Sequence, residues 1–307
     1  MKVTRIYKGV LEQFLKQSFP FLQRLGIHIT PNNFYQPVPD TRTLKDDLWS
    51  KHSELVGIDI NEKKQLELLS LFVSKFKSEY DRFPKNKTSK PYEYYVNNMW
   101  FESVDGEILY CMIRHYKPRR IFEIGSGYST CLSAQAILKN REEDDDYECE
   151  LVAIEPYPND ILKTGFPGLS KLIPKKVQDI PLSEFKKLKD NDILFIDSSH
   201  VLKIGSDVQY EFLEILPRLN KGVIVHVHDI FLPAEYPKRY VLEDYRFWNE
   251  QYLLQAFLSF NNTFEVLWAA SYMHLKYPDR LKDAFTSYER DDKRWWIPHS
   301  FWMRRIK

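Results

Sequence analysis

The run Arg119-Arg120-Ile121-Phe122-Glu123-Ile124-Gly125-Ser126-Gly127-Tyr128-Ser129-Thr130 constrains this chain more than any other. Ile121 to Ile124 reads as a buried strand, Gly125 and Gly127 as a tight turn, and Ser129 to about Lys139 as a helix. Glycine tolerates positive φ and has no Cβ, so such a turn lets bare backbone approach a ligand. In an open α/β sheet ligands lie at the carboxyl ends of the strands, which predicts that Glu123 faces a pocket. A carboxylate there repels a pyrophosphate and suits a cationic amino-acid cofactor. Thr130 stands where a dinucleotide fingerprint would place its third glycine.

Alternating β and α patterns continue from this loop. Cys149–Glu155, 172–177, 192–197 and 222–229 read as four further strands. Helices are expected at about 181–188, 207–217 and 248–260, and two strong β segments, 263–270 and 300–306, finish the chain as an antiparallel pair. This alternation predicts a doubly wound α/β domain. Before it, residues 61–82 carry Leu66, Leu69, Leu71, Phe72 and Phe76 at helical spacing, with Asn61 as the expected N-cap. A second helix is expected at 104–116. Residues 1–25 form a helical pattern broken at Pro20, and Pro31, Pro37 and Pro39 then interrupt regular structure. That proline-rich arm reads either as a surface connector or as a lid. The polar run at 84–91 marks the expected boundary between an N-terminal helical extension (1–91) and a catalytic domain (92–307).

Net charge is +1, from 44 basic and 43 acidic residues, which gives no polyanionic footprint and argues against a nucleic-acid partner. Cys111, Cys131 and Cys149 are an odd count without C-x-x-C spacing, which predicts a reducing compartment rather than a disulfide framework. No stretch approaches the roughly 20 apolar residues of a membrane span, and the first 30 residues contain no signal-peptide core. The expectation is a soluble cytoplasmic protein.

Several side chains converge at the expected carboxyl edge. Glu155 ends the second strand, where an acid accepts hydrogen bonds from a ribose diol. The acidic run 141–148 explains why the spacing from the loop exceeds the usual interval of about 20 residues. Asp179 ends the third strand, placed to cap the helix expected at 181–188. Asp197-x-x-His200 ends the fourth, and His228-Asp229 the fifth. An imidazole with an unperturbed pKa near 6.5 suits proton removal from a hydroxyl, so His200 is the candidate base, or alternatively a structural histidine. Asp197, Asp229 and His228 are a candidate divalent-metal set; Mg²⁺ needs few carboxylates because it keeps several waters. The loop after the fifth strand is rich in large side chains, and Tyr236 and Arg239 are its candidate substrate contacts.

The run E-I-G-S-G-Y-S-T resembles motif I of the class I S-adenosylmethionine-dependent methyltransferases. FIDSSH, DVQYEFLEILPRL, GVIVHVHDIFLP and PHSFWMRR are similar to the methyltransferase family 24 group, over about Tyr95 to Lys307. The resemblance implies a Rossmann-like seven-stranded sheet that binds S-adenosylmethionine through Glu123, Gly125, Ser126, Gly127, Tyr128, Glu155, Asp179 and Asp197. It implies O-methylation of a small hydroxylated acceptor, such as a sugar or natural product, with Asp197 and Asp229 as metal acids and His200 as base. His228 departs from that pattern, which has an acid in its place. The competing readings are a nicotinamide-dependent oxidoreductase and an S-adenosylmethionine-binding protein without transferase activity.

Overall fold

The computed structural model describes residues 2–289 and 296–307, with side chains omitted for residues 2–8 and 12. It contains two compact units: Lys51–Tyr236 with Trp248–Lys307, and Met1–Ser50 with Pro237–Phe247. The division falls at Ser50 rather than in the polar run 84–91. Helix Glu62–Tyr80 explains the difference, because Leu69, Phe72, Phe76 and Tyr80 are buried in the larger unit's core. Asn61 precedes that helix in a left-handed conformation without capping it; its amide donates instead to the Val266 carbonyl, 3.0 Å away.

In the smaller unit, helix Lys2–Arg24 continues through Pro20. Proline removes one N–H, and so near the helix end that loss does not stop it. The arm that follows forms short 3₁₀ turns at Thr41–Thr43 and Asp46–Trp49. Lys238 pairs with Asp46 at 2.6 Å within this unit.

The larger unit is built on seven strands: β1 Arg120–Ile124, β2 Glu150–Ile154, β3 Lys171–Ile173, β4 Ile193–Ile196, β5 Ile224–Val227, β6 Phe264–Ala269 and β7 Phe301–Arg305. Their order is β3-β2-β1-β4-β5-β7-β6. The first five are parallel, and β7 runs antiparallel between β5 and β6. The expected doubly wound sheet and its closing antiparallel pair are both present. Alternation sorts the strand side chains between two cores: Ile121, Ile193, Phe195 and Ile224 on one face, Phe122, Leu194, Ile196 and Val225 on the other. With helices on both faces, the strands carry the nearly continuous apolar runs expected of a buried parallel sheet. The expected helix 207–217 is a short α-helix, Asp207–Tyr210, followed by a π turn over Glu211–Ile215.

Register fixes the site. Ile124 pairs with Ile154 on one side and Ile196 on the other, and Ile196 pairs with Val227. The residues just beyond these, Glu155, Gly125, Asp197 and His228, therefore stand level along one edge. The order reverses between β1 and β4, where ligands of such sheets bind. Gly125 occupies that point with φ +77°, and a Cβ built on it would lie 1.8 Å from the Asp197 carbonyl oxygen. The turn leads into helix Tyr128–Glu143, whose Ser129 and Thr130 hydroxyls donate to Glu123 Oε1 at 2.6 and 2.9 Å. Thr130 also accepts from the Gly127 N–H at 2.9 Å. Glu123 is thus fully buried beneath the turn rather than open to a pocket. Burial raises its pKa to about 8, against the two hydroxyl bonds that lower it.

Gly125→Ala should lose on the order of 2–4 kcal/mol in urea unfolding, from left-handed strain and overpacking. Gly127→Ala, whose Cβ meets nothing within 4 Å, should lose far less. Glu123 has a second expected effect. The folded ligand-free chain binds the Glu123 proton more tightly than the unfolded chain, whose carboxyl titrates near 4.5. Its contribution to stability is complete below that value and declines as pH rises toward about 8. Glu123→Gln should flatten this part of the stability profile, measured by urea unfolding across the same pH range.

Candidate active site

The level strand ends carry the residues singled out in the sequence. Glu155 is half-buried; its Oε2 accepts from the Ser126 N–H at 3.3 Å and its Oε1 from the Tyr157 N–H at 2.7 Å. The acid of β2 thereby touches the glycine turn of β1. Tyr128 sits at the start of the following helix, its hydroxyl 3.0 Å from that of Tyr95. Asp179 is exposed and ends the 3₁₀ turn Val177–Asp179. It does not cap a helix: the following one, Leu182–Phe185, has no side-chain cap.

His200 is the centre of the polar cluster. Its Nδ1 lies 3.0 Å from Glu250 Oε2, and its Nε2 faces Asp229 at 3.2 Å and Asp197 at 3.4 Å. Three elements supply these groups: the turn after β4, the second residue after β5, and helix Glu250–Leu258. The Trp248 ring lies against the imidazole, centroids 4.5 Å apart. His200 and Asp229 both adopt left-handed φ, +61° and +55°. Such backbone costs of order 1–3 kcal/mol per residue and persists where the surroundings hold it. Two of those restraints are the Asn249 and Glu250 N–H groups, which donate to the His200 carbonyl.

Burial disfavours charge on His200, but Asp229 and the bonds to Asp197 and Glu250 outweigh it. They hold the imidazole well above its usual pKa. Burial raises Glu250 as well, opposed by its bond to His200. Beneath them Glu211 is fully buried, accepts from Ser198 at 3.0 Å, and is pushed well above the carboxylate range by burial.

The metal set read from sequence is corrected at one position. Asp197, Asp229 and His200, rather than His228, bring ligand atoms within 4.8 Å of one another. Alternation explains this: His226 and His228 project to the same face, where His228 packs on Phe101 at 4.9 Å. Burial holds both imidazoles far below their usual pKa, and neither ring nitrogen of either has a hydrogen-bond partner among the described residues. His228 groups instead with Asp105 and His299. Tyr236 is also reassigned. It is buried, its hydroxyl accepts from the Gln251 N–H at 3.0 Å, and its ring packs on Phe231, so it holds the loop rather than facing a ligand. Arg239 is exposed, lies in the smaller unit and faces Glu243 at 3.8 Å.

Glu250, His299 and Asp105 were not singled out from the sequence. An acid beginning a helix reads as a favourable dipole interaction, which conceals both Glu250 and Asp105. His299 had a weak signal, a polar residue at the foot of an apolar strand.

Residues 122–230 match a family model described as a methyltransferase domain. An "Uncharacterized protein" of Archaeoglobus fulgidus is 34% identical over 181 residues, covering 56% of this chain and 78% of that protein. Similar solved structures include an O-methyltransferase from Bacillus cereus in complex with SAH, at 13% identity, covering 80% of this chain and 91% of that one. Another is CalS11, a TDP-rhamnose 3'-O-methyltransferase, at 12% identity, covering 86% and 98%. Both have a TM-score of 0.37, too low to inform the site. The glycine turn at the sheet's switch point and the matched domain together replace the nicotinamide alternative. The chain belongs to the methyltransferase family 24 group and is a class I S-adenosylmethionine-dependent methyltransferase.

Proposed function

We propose that this methyltransferase acts on an oxygen of a small hydroxylated acceptor, a sugar or a natural product, with His200 accepting the acceptor's proton. The observation that carries the reading is His200 itself. Glu250 fixes Nδ1 and leaves Nε2 facing Asp197 and Asp229, just beyond the ends of β4 and β5. S-adenosylmethionine supplies a methyl group already activated on a sulfonium. The chain's task is then to align the acceptor and remove a proton.

Cofactor binding is assigned to the turn Gly125, Ser126, Gly127 and Tyr128, with Glu155 receiving the ribose hydroxyls and Asp179 meeting the adenine amine. Asp197, whose carbonyl abuts Gly125, borders the same space. Glu123 acts from beneath, orienting the turn through Ser129 and Thr130.

Asp197 and Asp229, with His200 adjoining, fit a divalent cation such as Mg²⁺, since two carboxylates and waters satisfy an oxygen-preferring ion. An ion there would lower the pKa of an acceptor hydroxyl. His200 reaches its proton-accepting form when positive charge from bound ligands balances Asp197 and Asp229. A cytoplasmic location accords with three buried, unpaired cysteines, and near-neutral net charge favours a small-molecule acceptor over nucleic acid.

A panel of sugars, phenols, amines and thiols, followed by release of S-adenosylhomocysteine, tests the acceptor class. Turnover confined to amines or thiols would refute the oxygen assignment. With a hydroxyl acceptor, His200→Gln should lower kcat by about 10²–10⁴-fold while leaving S-adenosylhomocysteine binding nearly unchanged in calorimetry. Glu155→Ala should show the converse, a loss of cofactor affinity by roughly tenfold or more, as for a lost charge-assisted hydrogen bond. Full activity in excess chelator would exclude the divalent ion.

A further inference from the structure

We propose that Asp105, His228 and His299 form a second ion site, suited to a borderline transition-metal ion such as Zn²⁺, beside the Asp197–His200–Asp229 group. Three separate elements bring the donors together: the start of helix Asp105–Tyr116, the end of β5 and the approach to β7. One ligand atom of each lies within 4.8 Å of the others. The inference does not depend on the nature of the methyl acceptor.

Three features of the donors point to a cation. His299 Nδ1 donates to the Ile297 carbonyl at 2.6 Å, so in the neutral ring Nε2 carries the lone pair. A metal-binding imidazole typically donates its other N–H to a carbonyl or carboxylate in this way. That Nε2 faces Asp229 Oδ1 at 3.3 Å. A proton on Nε2 satisfies that contact in the ion-free chain, and a cation bound at Nε2 would take the proton's place. Second, the Asp105 oxygens accept from the backbone N–H groups of His299 and Ser300, each at 3.0 Å. These bonds fix the carboxylate and leave lone pairs free. Third, His228 is 2% exposed and neither of its nitrogens has a hydrogen-bond partner among the described residues. A buried polar group left this way costs on the order of 1–3 kcal/mol.

The donor chemistry selects the ion. Two imidazoles and one carboxylate suit Zn²⁺ or Fe²⁺, whereas Mg²⁺ prefers oxygen. Donors about 2.0–2.2 Å from a tetrahedral ion stand about 3.4 Å apart, within the 4.8 Å that bounds this set. Three protein ligands leave a position open. Asp229 stands between the two groups, with Oδ1 toward His299 and Oδ2 toward His200.

Cobalt is the probe, because its visible absorption reports coordination. The full-length chain, stripped with chelator and dialysed, would be titrated with Co²⁺ alone, and separately with Zn²⁺ by calorimetry. The site predicts one saturable equivalent with visible bands of four- or five-coordinate cobalt. His228→Phe and His299→Gln should each weaken that binding at least tenfold, while Asp197→Asn keeps the bands. An unchanged far-ultraviolet circular dichroism spectrum and thermal unfolding midpoint would confirm that each variant is folded, and Asp105→Asn is a milder third variant. The proposal is overturned if the wild-type chain binds no Co²⁺, or if Asp197→Asn abolishes the bands while both histidine variants keep them. An intense thiolate charge-transfer band would likewise overturn it, by assigning the ion to a cysteine.

Discussion

The close approach of β1 to β4 is the contact on which the site depends. The Gly125 backbone lies against the Asp197 carbonyl, where any side chain would collide. The same contact levels four strand ends, since Gly125 donates to the Ile154 carbonyl and Asp197 to the Ile124 carbonyl. Glu155, Gly125, Asp197 and His228 are therefore coplanar by register rather than by loop conformation. Functional groups mounted on strand ends are held more rigidly than groups on free loops.

That rigid edge concentrates negative charge. Asp197, Asp229 and Glu250 surround one imidazole, and Asp105 and Asp229 flank another. Carboxylates gathered in a poorly solvated place repel one another, so the arrangement requires positive charge among them. In the ligand-free chain the His200 proton supplies part of it. A cationic sulfonium cofactor and a divalent ion meet the same requirement. One electrostatic need would thus link the cofactor, the proposed ion and the protonation of the candidate base.

Beneath the edge, the polar groups are tied to the scaffold at several points. Glu123 joins β1 to its helix through two hydroxyls, and Glu211 anchors Ser198. Asp207 receives both the N–H and the hydroxyl of Ser199, which shapes the turn between Asp197 and His200. His200, at left-handed φ like Asp229, is held by the Asn249 and Glu250 N–H groups and lies against Trp248. Strain of this sort gathers where side-chain direction matters more than backbone comfort.

Local patterns sufficed for much of this. Period-two and period-3.6 apolar spacing gave the strands, the long helix 62–80 and the sorting of His226 and His228 onto one face. The glycine turn lies at the switch point of the sheet, and Asp197, His200 and Asp229 come together at the same edge. Other features are pairings between distant segments, which no local window contains. Glu250 lies 50 residues from the imidazole it orients, and Asp105 more than 190 from the N–H groups that it accepts from. The burial of Tyr236 and the place of helix Glu62–Tyr80 in the larger unit were likewise set by packing. The succession of strands and helices and the chemistry of the glycine turn were legible in the amino-acid order alone, because both rest on neighbours a few residues apart. Which imidazole meets which carboxylate was settled in three dimensions, because that follows from strand register and helix docking.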